Sequence, residues 1–298
     1  MDDMPPQNAI TFFNRYTGEI ETEDIYGESF LRWTYETVSG RIALVAAAKR
    51  AFFSKWYGWR MDLTKSREKV APFIKDYGLD PAEFLDAPDS YKTFNEFFYR
   101  KLKPTARLIA DGPVFPADGR HLAIPDISKT DGVWVKGQQI DILRLLGDTS
   151  LAEKFAHGSM LISRLCPVDY HRYHFPVGGD ASGATLIPGS LSSVSPIALR
   201  KRLAILWENK RVLTQIKTED LGTVLMIEVG ATCVGGIHQT YSPGPVEAGC
   251  DKGYFSFGGS MTIVLFEPEK IQFASDLLEH SAEHREIYAK MGDAITQR

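Results

Sequence analysis

Tyr254-Phe255-Ser256-Phe257-Gly258-Gly259-Ser260-Met261-Thr262-Ile263-Val264-Leu265-Phe266 is the stretch on which the reading of this chain turns. Aromatic and β-branched residues on both sides of its centre predict β structure. A Gly pair inside such a run costs backbone entropy and marks a bulge or the close approach of another group. Ser260, directly after Gly259, adds a chemical option. Its hydroxyl can attack the preceding carbonyl, move the acyl group from N to O and cut the chain. A bulge followed by a buried serine is the plainer alternative, because Gly-Ser pairs are common turn elements.

Two other segments bear on that choice. Leu165-Cys166-Pro167-Val168-Asp169-Tyr170-His171-Arg172-Tyr173-His174-Phe175-Pro176 sets two histidines three residues apart between prolines. Val114-Phe115-Pro116-Ala117-Asp118-Gly119-Arg120 sets an acid in a Pro/Gly turn after an apolar pair. Asp, His and Ser are the members of a nucleophile-activating triad, in which the acid orients the imidazole and the imidazole takes the hydroxyl proton. Such triads assemble in space, so their separation along the chain is no obstacle.

Taken together, these segments resemble the phosphatidylserine decarboxylases, self-processing enzymes with a pyruvoyl cofactor. The resemblance runs from Phe12 to Pro268. It includes Phe12-Phe13-Asn14-Arg15-Tyr16-Thr17-Gly18, Thr93-Phe94-Asn95-Glu96-Phe97-Phe98-Tyr99-Arg100-Lys101-Leu102-Lys103-Pro104 and Val135-Lys136-Gly137-Gln138. Pro188-Gly189-Ser190-Leu191, Ser195-Pro196, Glu208-Asn209-Lys210-Arg211 and Val229-Gly230-Ala231-Thr232-Cys233-Val234-Gly235 extend it. The family's usual cleavage motif is Leu-Gly-Ser-Thr, and here it reads Gly258-Gly259-Ser260-Met261.

The resemblance implies that His174, oriented by Asp118, activates Ser260 for cleavage between Gly259 and Ser260. Residue 260 would become the covalent pyruvoyl group, and fragments 1–259 and 260–298 would stay together as a heterodimer, itself open to further dimerisation. His171 is the candidate acid–base for turnover, since imidazole titrates near neutral pH; bracing of the His174 loop is its structural alternative. The implied reaction converts phosphatidylserine to phosphatidylethanolamine and CO2.

Composition agrees with an ordinary globular chain: 298 residues, 44% hydrophobic and 24% charged, are enough for a substantial core in one or two domains. A net charge of −4 gives no whole-chain reason to expect nucleic acid. Cys166, Cys233 and Cys250 fit neither a metal spacing nor a paired disulfide framework, and no metal is expected. The acidic start Met1-Asp2-Asp3 lacks the pattern of a secretory signal, and the apolar run 42–48 is too short to span a bilayer.

Charge is unevenly spread. Residues 41–69 hold eight basic side chains against Asp62 and Glu68, interleaved with Phe52, Phe53, Trp56, Tyr57 and Trp59. Leu31, Tyr35, Val38, Ile42 and Val45 recur at helical spacing. A basic face beside aromatic residues suits an anionic membrane surface, and a helix packed on its own domain is the alternative. With a lipid substrate implied, peripheral attachment to the cytoplasmic face of the cell membrane is the expectation.

The fold class expected is α+β: an N-terminal helical, membrane-facing region over residues 1–90, then a β-rich catalytic core over 91–298 with a short C-terminal helix. Apolar runs at Val133–Val135, Met160–Ile162, Val224–Val229 and Thr262–Phe266 predict strands, and Phe273–Met291 has helical periodicity. His280 and His284 stand at i and i+4 near Glu279 and Glu283, a metal-pair spacing without a third ligand. The Gly-spaced segment 229–235 lacks the Lys-Ser/Thr of a phosphate loop. Three other functions remain open on residues alone. A soluble aromatic amino acid could be the substrate, or the chain could be an unprocessed membrane-binding homologue. A serine hydrolase would need a Gly-x-Ser-x-Gly elbow that is missing around Ser260.

Overall fold

The computed structural model describes residues 10–23, 29, 32, 33, 37, 58–129, 132–135, 137–231, 236–256 and 260–297, with the backbone alone for Ser260. Gly258, Gly259, Thr232–Gly235, Lys136 and the basic aromatic stretch up to Tyr57 lie outside the described residues. In chain order the strands are β1 (Thr11–Asn14), β2 (Glu19–Thr22), β3 (Gly119–Ile124), β4 (Ser159–Leu165), β5 (Arg172–His174), β6 (Gly179–Ala181) and β7 (Thr185–Ile187). They continue with β8 (Arg211–Lys217), β9 (Thr223–Val229), β10 (Ile237–Gln239), β11 (Gly244–Val246), β12 (Asp251–Phe255), β13 (Ser260–Phe266) and β14 (Glu286–Ala289).

Eleven strands make one sheet in the order β11-β6-β8-β9-β13-β4-β3-β14-β1-β2, with β7 also beside β8; β10-β12-β5 make a second, small sheet. The β1–β14 pair is parallel, while β13 is antiparallel to both β4 and β9. The central strands are apolar on both faces, which explains their continuous hydrophobic runs. Met261, Ile263 and Leu265 enter one core with Met160, Ile162, Leu225 and Ile227. Val264 and Phe266 enter the opposite core with Tyr173, Phe175 and Phe255 of the small-sheet side. The fold is therefore α+β and β-rich, as the sequence implies.

Three local expectations change. The helical region predicted from residue 1 gives way at residues 11–22 to the β1–β2 hairpin, whose first strand pairs with β14 in the large sheet. A separate aromatic cluster runs from Met61 through Phe84 to Phe97 and Phe98, so the packing unit of short helices continues past residue 90. Val133 and Trp134 are buried in bends outside any strand.

The C-terminal helical periodicity is used only over Ser275–Ala282. His284 then adopts φ +57°, and β14 inserts between β1 and β3. Those two strands would otherwise present unpaired backbone groups, which outweighs local helix preference. No helix among the described residues is long and apolar enough to cross a membrane.

Candidate active site

The Gly-Gly-Ser knot falls on the crossover from the small sheet to the large one. Phe255, the last residue of β12, donates its amide to the His171 carbonyl at 3.0 Å, and the Ser256 amide donates to the Gly236 carbonyl at 3.1 Å. Residue 260 then opens β13 opposite Leu165, flanked at the next position by Arg164 and Val229. By strand alternation, position 260 shares the face of Thr262, Val264 and Phe266, toward the small-sheet core. Met261 falls on the other face, fully buried. The residue that departs from the family motif therefore occupies an apolar site where a thioether packs well.

His174 is buried in β5. Its Nδ1 lies 2.9 Å from the Gly249 carbonyl, which can only accept, so Nδ1 carries the proton. The basic Nε2 then faces the Tyr170 hydroxyl at 3.3 Å. Burial pushes the imidazole below its ordinary pKa, so it is neutral at pH 7 and able to take a proton. His171 has the same tautomer, with Nδ1 2.9 Å from the Asp169 carbonyl and its ring 3.9 Å from that of Phe98.

Asp118 comes close to His174 through the backbone: the His174 amide donates to the Pro116 carbonyl at 2.7 Å. No hydrogen bond joins the two side chains. The Asp118 carboxylate accepts from Arg107 Nε at 3.0 Å and Nη2 at 2.5 Å, and from the Met291 amide at 2.9 Å. The orienting partner of the imidazole is the Gly249 carbonyl. Gly119 explains why this turn is glycine: a Cβ there would sit 2.5 Å from the Arg164 carbonyl oxygen.

Between the sheets lies a polar network that no motif announces. Lys252 of β12 bonds Glu228 of β9 and the Gln239 side-chain oxygen, each at 2.8 Å; the Gln239 amide bonds Glu228 at 2.8 Å. Neither Lys252 nor Glu228 reaches solvent. Burial pushes the Lys252 ammonium down and the Glu228 carboxyl up. A second buried cluster, Arg164 between Glu23 and Glu286 at 2.5 and 2.6 Å, flanks Cys166. These residues, with Tyr170 and Arg107, escape a sequence reading because their partners are distant in the chain. His280 and His284 separate: the first stacks on Phe13 at 4.0 Å and the second reaches the Val133 carbonyl at 3.1 Å.

A family model for phosphatidylserine decarboxylase matches residues 94–297. A phosphatidylserine decarboxylase proenzyme of Chlamydia trachomatis serovar L2 is 40% identical over 293 residues, covering 97% of each chain. The proenzyme of Fusobacterium nucleatum is 41% identical over 288 residues, covering 95% of this chain and 96% of its own. That of Clostridium kluyveri is 41% identical over 290 residues, covering 96% and 98%. A β-rich α+β chain that carries a buried acid, buried imidazoles and a Gly-Ser bond at the start of a central strand is thereby given its class. The chain belongs to the phosphatidylserine decarboxylase family.

Proposed function

We propose that this chain is a proenzyme that cuts itself between Gly259 and Ser260 and then decarboxylates phosphatidylserine to phosphatidylethanolamine. The observation that carries the reading is the position of residue 260, first in a strand paired on both sides, just after a crossover whose entering strand ends at Phe255 on the His171 carbonyl. Cleavage there leaves the new terminus held by the β4 and β9 ladders, while β14 anchors the rest of fragment 260–298 to β1 and β3. The two fragments remain one folded body. That anchoring is what a cofactor built from residue 260 requires, so the site fits a pyruvoyl group.

In the precursor, His174 Nε2 takes the Ser260 hydroxyl proton as the oxygen attacks the Gly259 carbonyl carbon. The Gly259–Ser260 C–N bond breaks as the ester C–O bond forms. Elimination then breaks the Ser260 Cβ–O bond and releases the Gly259 carboxylate, and hydrolysis of the resulting enamine expels ammonia. Asp118 acts through the Pro116–Asp118 turn and its field on the imidazole. The pyruvoyl group supplies an electron sink for the charge left when CO2 departs. His171, its Nδ1–H fixed on Asp169, offers Nε2 to carry the proton returned to the substrate α-carbon.

The enzyme meets its lipid as a peripheral membrane protein, through the basic aromatic stretch 41–69 of the N-terminal region. Denaturing mass spectrometry with a phosphatidylserine-vesicle assay tests the whole reading. The wild type gives two fragments and releases CO2; Ser260→Ala gives one chain and none. Normal activity in Ser260→Ala would refute self-processing at this bond.

A further inference from the structure

We propose that the cavity beside Asp118 binds the phosphodiester of the substrate headgroup, with the Arg100 guanidinium as its counter-charge. The inference rests on the reading of the chain as a phosphatidylserine decarboxylase. The cavity, about 320 Å³, is lined by Phe84, Arg100, Arg107, Asp118, Tyr170 and Lys290 among others. Its cations are not equivalent. Arg107 is paired with Asp118 and Glu83, Arg120 with Asp169 at 2.7 Å, and Lys290 stands 3.8 Å from Glu83.

Arg100 has no carboxylate within 4 Å among the described residues. It is buried, its Nε has no hydrogen-bond partner, and its Nη1 reaches the Phe97 carbonyl at a long 3.3 Å. Its Cζ lies 4.7 Å from the ring centres of both Phe84 and Phe97, which hold the guanidinium plane in place. Burial pulls its pKa down to about 10, with the more distant Asp118 charge offsetting only part of that effect. A buried charge left unpaired is strongly destabilising, and a planar guanidinium is suited to a bidentate oxyanion.

The phosphodiester supplies what is missing: one negative charge on two non-bridging oxygens. The cavity's carboxylates do not oppose it. Asp118, Asp169 and Glu83 are already neutralised, and exposed Asp80 caps the Ala82 amide.

The location also suits the chemistry. Val168, Asp169 and Tyr170 line the cavity and lead directly into His171, while the Tyr170 hydroxyl touches His174. In the substrate, the phosphorus is only two atoms removed from the α-carbon that loses CO2. Leu85 and Leu108, each following a lining residue, are 50% and 80% exposed, apolar surface of the kind acyl chains would meet.

The test compares wild type, Arg100→Gln and Arg100→Lys. Each is first checked for its two fragments and then assayed on phosphatidylserine in mixed micelles. Arg100→Gln raises KM at least tenfold with kcat within threefold, and Arg100→Lys falls between it and the wild type. Glycerophosphoethanolamine inhibits the wild type competitively, whereas ethanolamine and inorganic phosphate at equal concentration do so at least tenfold less well. KM within twofold of wild type in mature Arg100→Gln overturns the subsite. Should that variant stay uncut, the mature wild type crystallised with glycerophosphoethanolamine decides: phosphate oxygens within hydrogen-bond distance of Arg100 support the subsite, and a phosphate bound elsewhere overturns it. Absence of any phosphatidylserine decarboxylation by mature wild type is the separate result that removes the parent reading.

Discussion

Lys252 and Glu228 meet at 2.8 Å in a fully buried ion pair that ties β12, the strand entering the cleavage crossover, to β9, the neighbour of the strand leaving it. The pair spans the two sheets at the level of Thr262, which faces Glu228 across the β13–β9 ladder. Its geometry fixes both banks of the crossover relative to each other.

Breaking one member should therefore cost far more than a surface ion pair. In an uncut Ser260→Ala background, where one polypeptide unfolds, Lys252→Met should lower stability by about 3–5 kcal/mol because Glu228 is left buried without its counter-ion. Adding Glu228→Gln should recover part of that loss. Urea unfolding of the single and double variants measures the coupling.

Asp118 should tolerate an isostere better than truncation. Asp118→Asn keeps an acceptor for the Met291 amide but leaves Arg107 with Glu83 alone, whereas Asp118→Ala removes both contacts. The expected order of maturation rates is wild type, Asn, then Ala, with His174→Ala remaining uncut. Timed mass spectra of freshly made protein give the rates. His171→Ala should mature and then decarboxylate poorly.

Stability should fall as the medium is acidified from pH 6.5. His121 is buried between Ser163 Oγ and the Ala289 carbonyl, and burial pushes its pKa down to about 3. The unfolded chain takes up that proton first, so stability is complete above the ordinary histidine value and is lost as pH falls from 6.5 toward 3, by about 1.4 kcal/mol per unit. His174, also depressed, adds the same sign. Glu23, held down to about 2 by Arg164, contributes only below the ordinary carboxylate range. Glu228 and Asp169, whose carboxyls burial pushes up, act with the opposite sign as they take up protons, so the test is the difference between variants: His121→Gln should lose less stability than the wild type between pH 6.5 and 5 in chemical denaturation.

The cysteines should differ in reactivity. Burial pushes the Cys166 thiol well up, while Cys250 is exposed. Under native conditions a maleimide should label the Cys250 peptide and spare Cys166 until the protein is unfolded. Peptide mass mapping distinguishes the two.

Membrane attachment should be partly electrostatic. Reversing Lys49 and Arg50 together should weaken binding to anionic vesicles about thirtyfold or more, at about 1 kcal/mol per basic residue, with the difference fading near 1 M salt. Replacing Trp56 and Trp59 should weaken it independently of salt; Trp59 is 57% exposed. Maturation should be unaffected, because cleavage is intramolecular. Vesicle flotation at low and high salt reads both paired variants.

The sequence by itself determined the family, the β-rich class and the place of the Gly-Ser bond in the chain, because these are carried by contiguous residues. Val224–Val229 and Thr262–Phe266 are legible as strands since both of their faces are buried, and a run of apolar residues records that directly. Phe273–Met291 was not fully legible. Its second half becomes β14 because of vacant edges on β1 and β3, whose sequences lie far upstream.

The site divides in the same way. Asp118, His171 and His174 stand out by residue type and turn context. Only tertiary structure decided that the Gly249 carbonyl, rather than Asp118, bonds the His174 imidazole, that Arg107 takes the Asp118 carboxylate, and that Lys252 finds Glu228. Each of those contacts joins segments brought together by sheet register, and a hydrogen bond responds to ångströms of separation that no local pattern encodes.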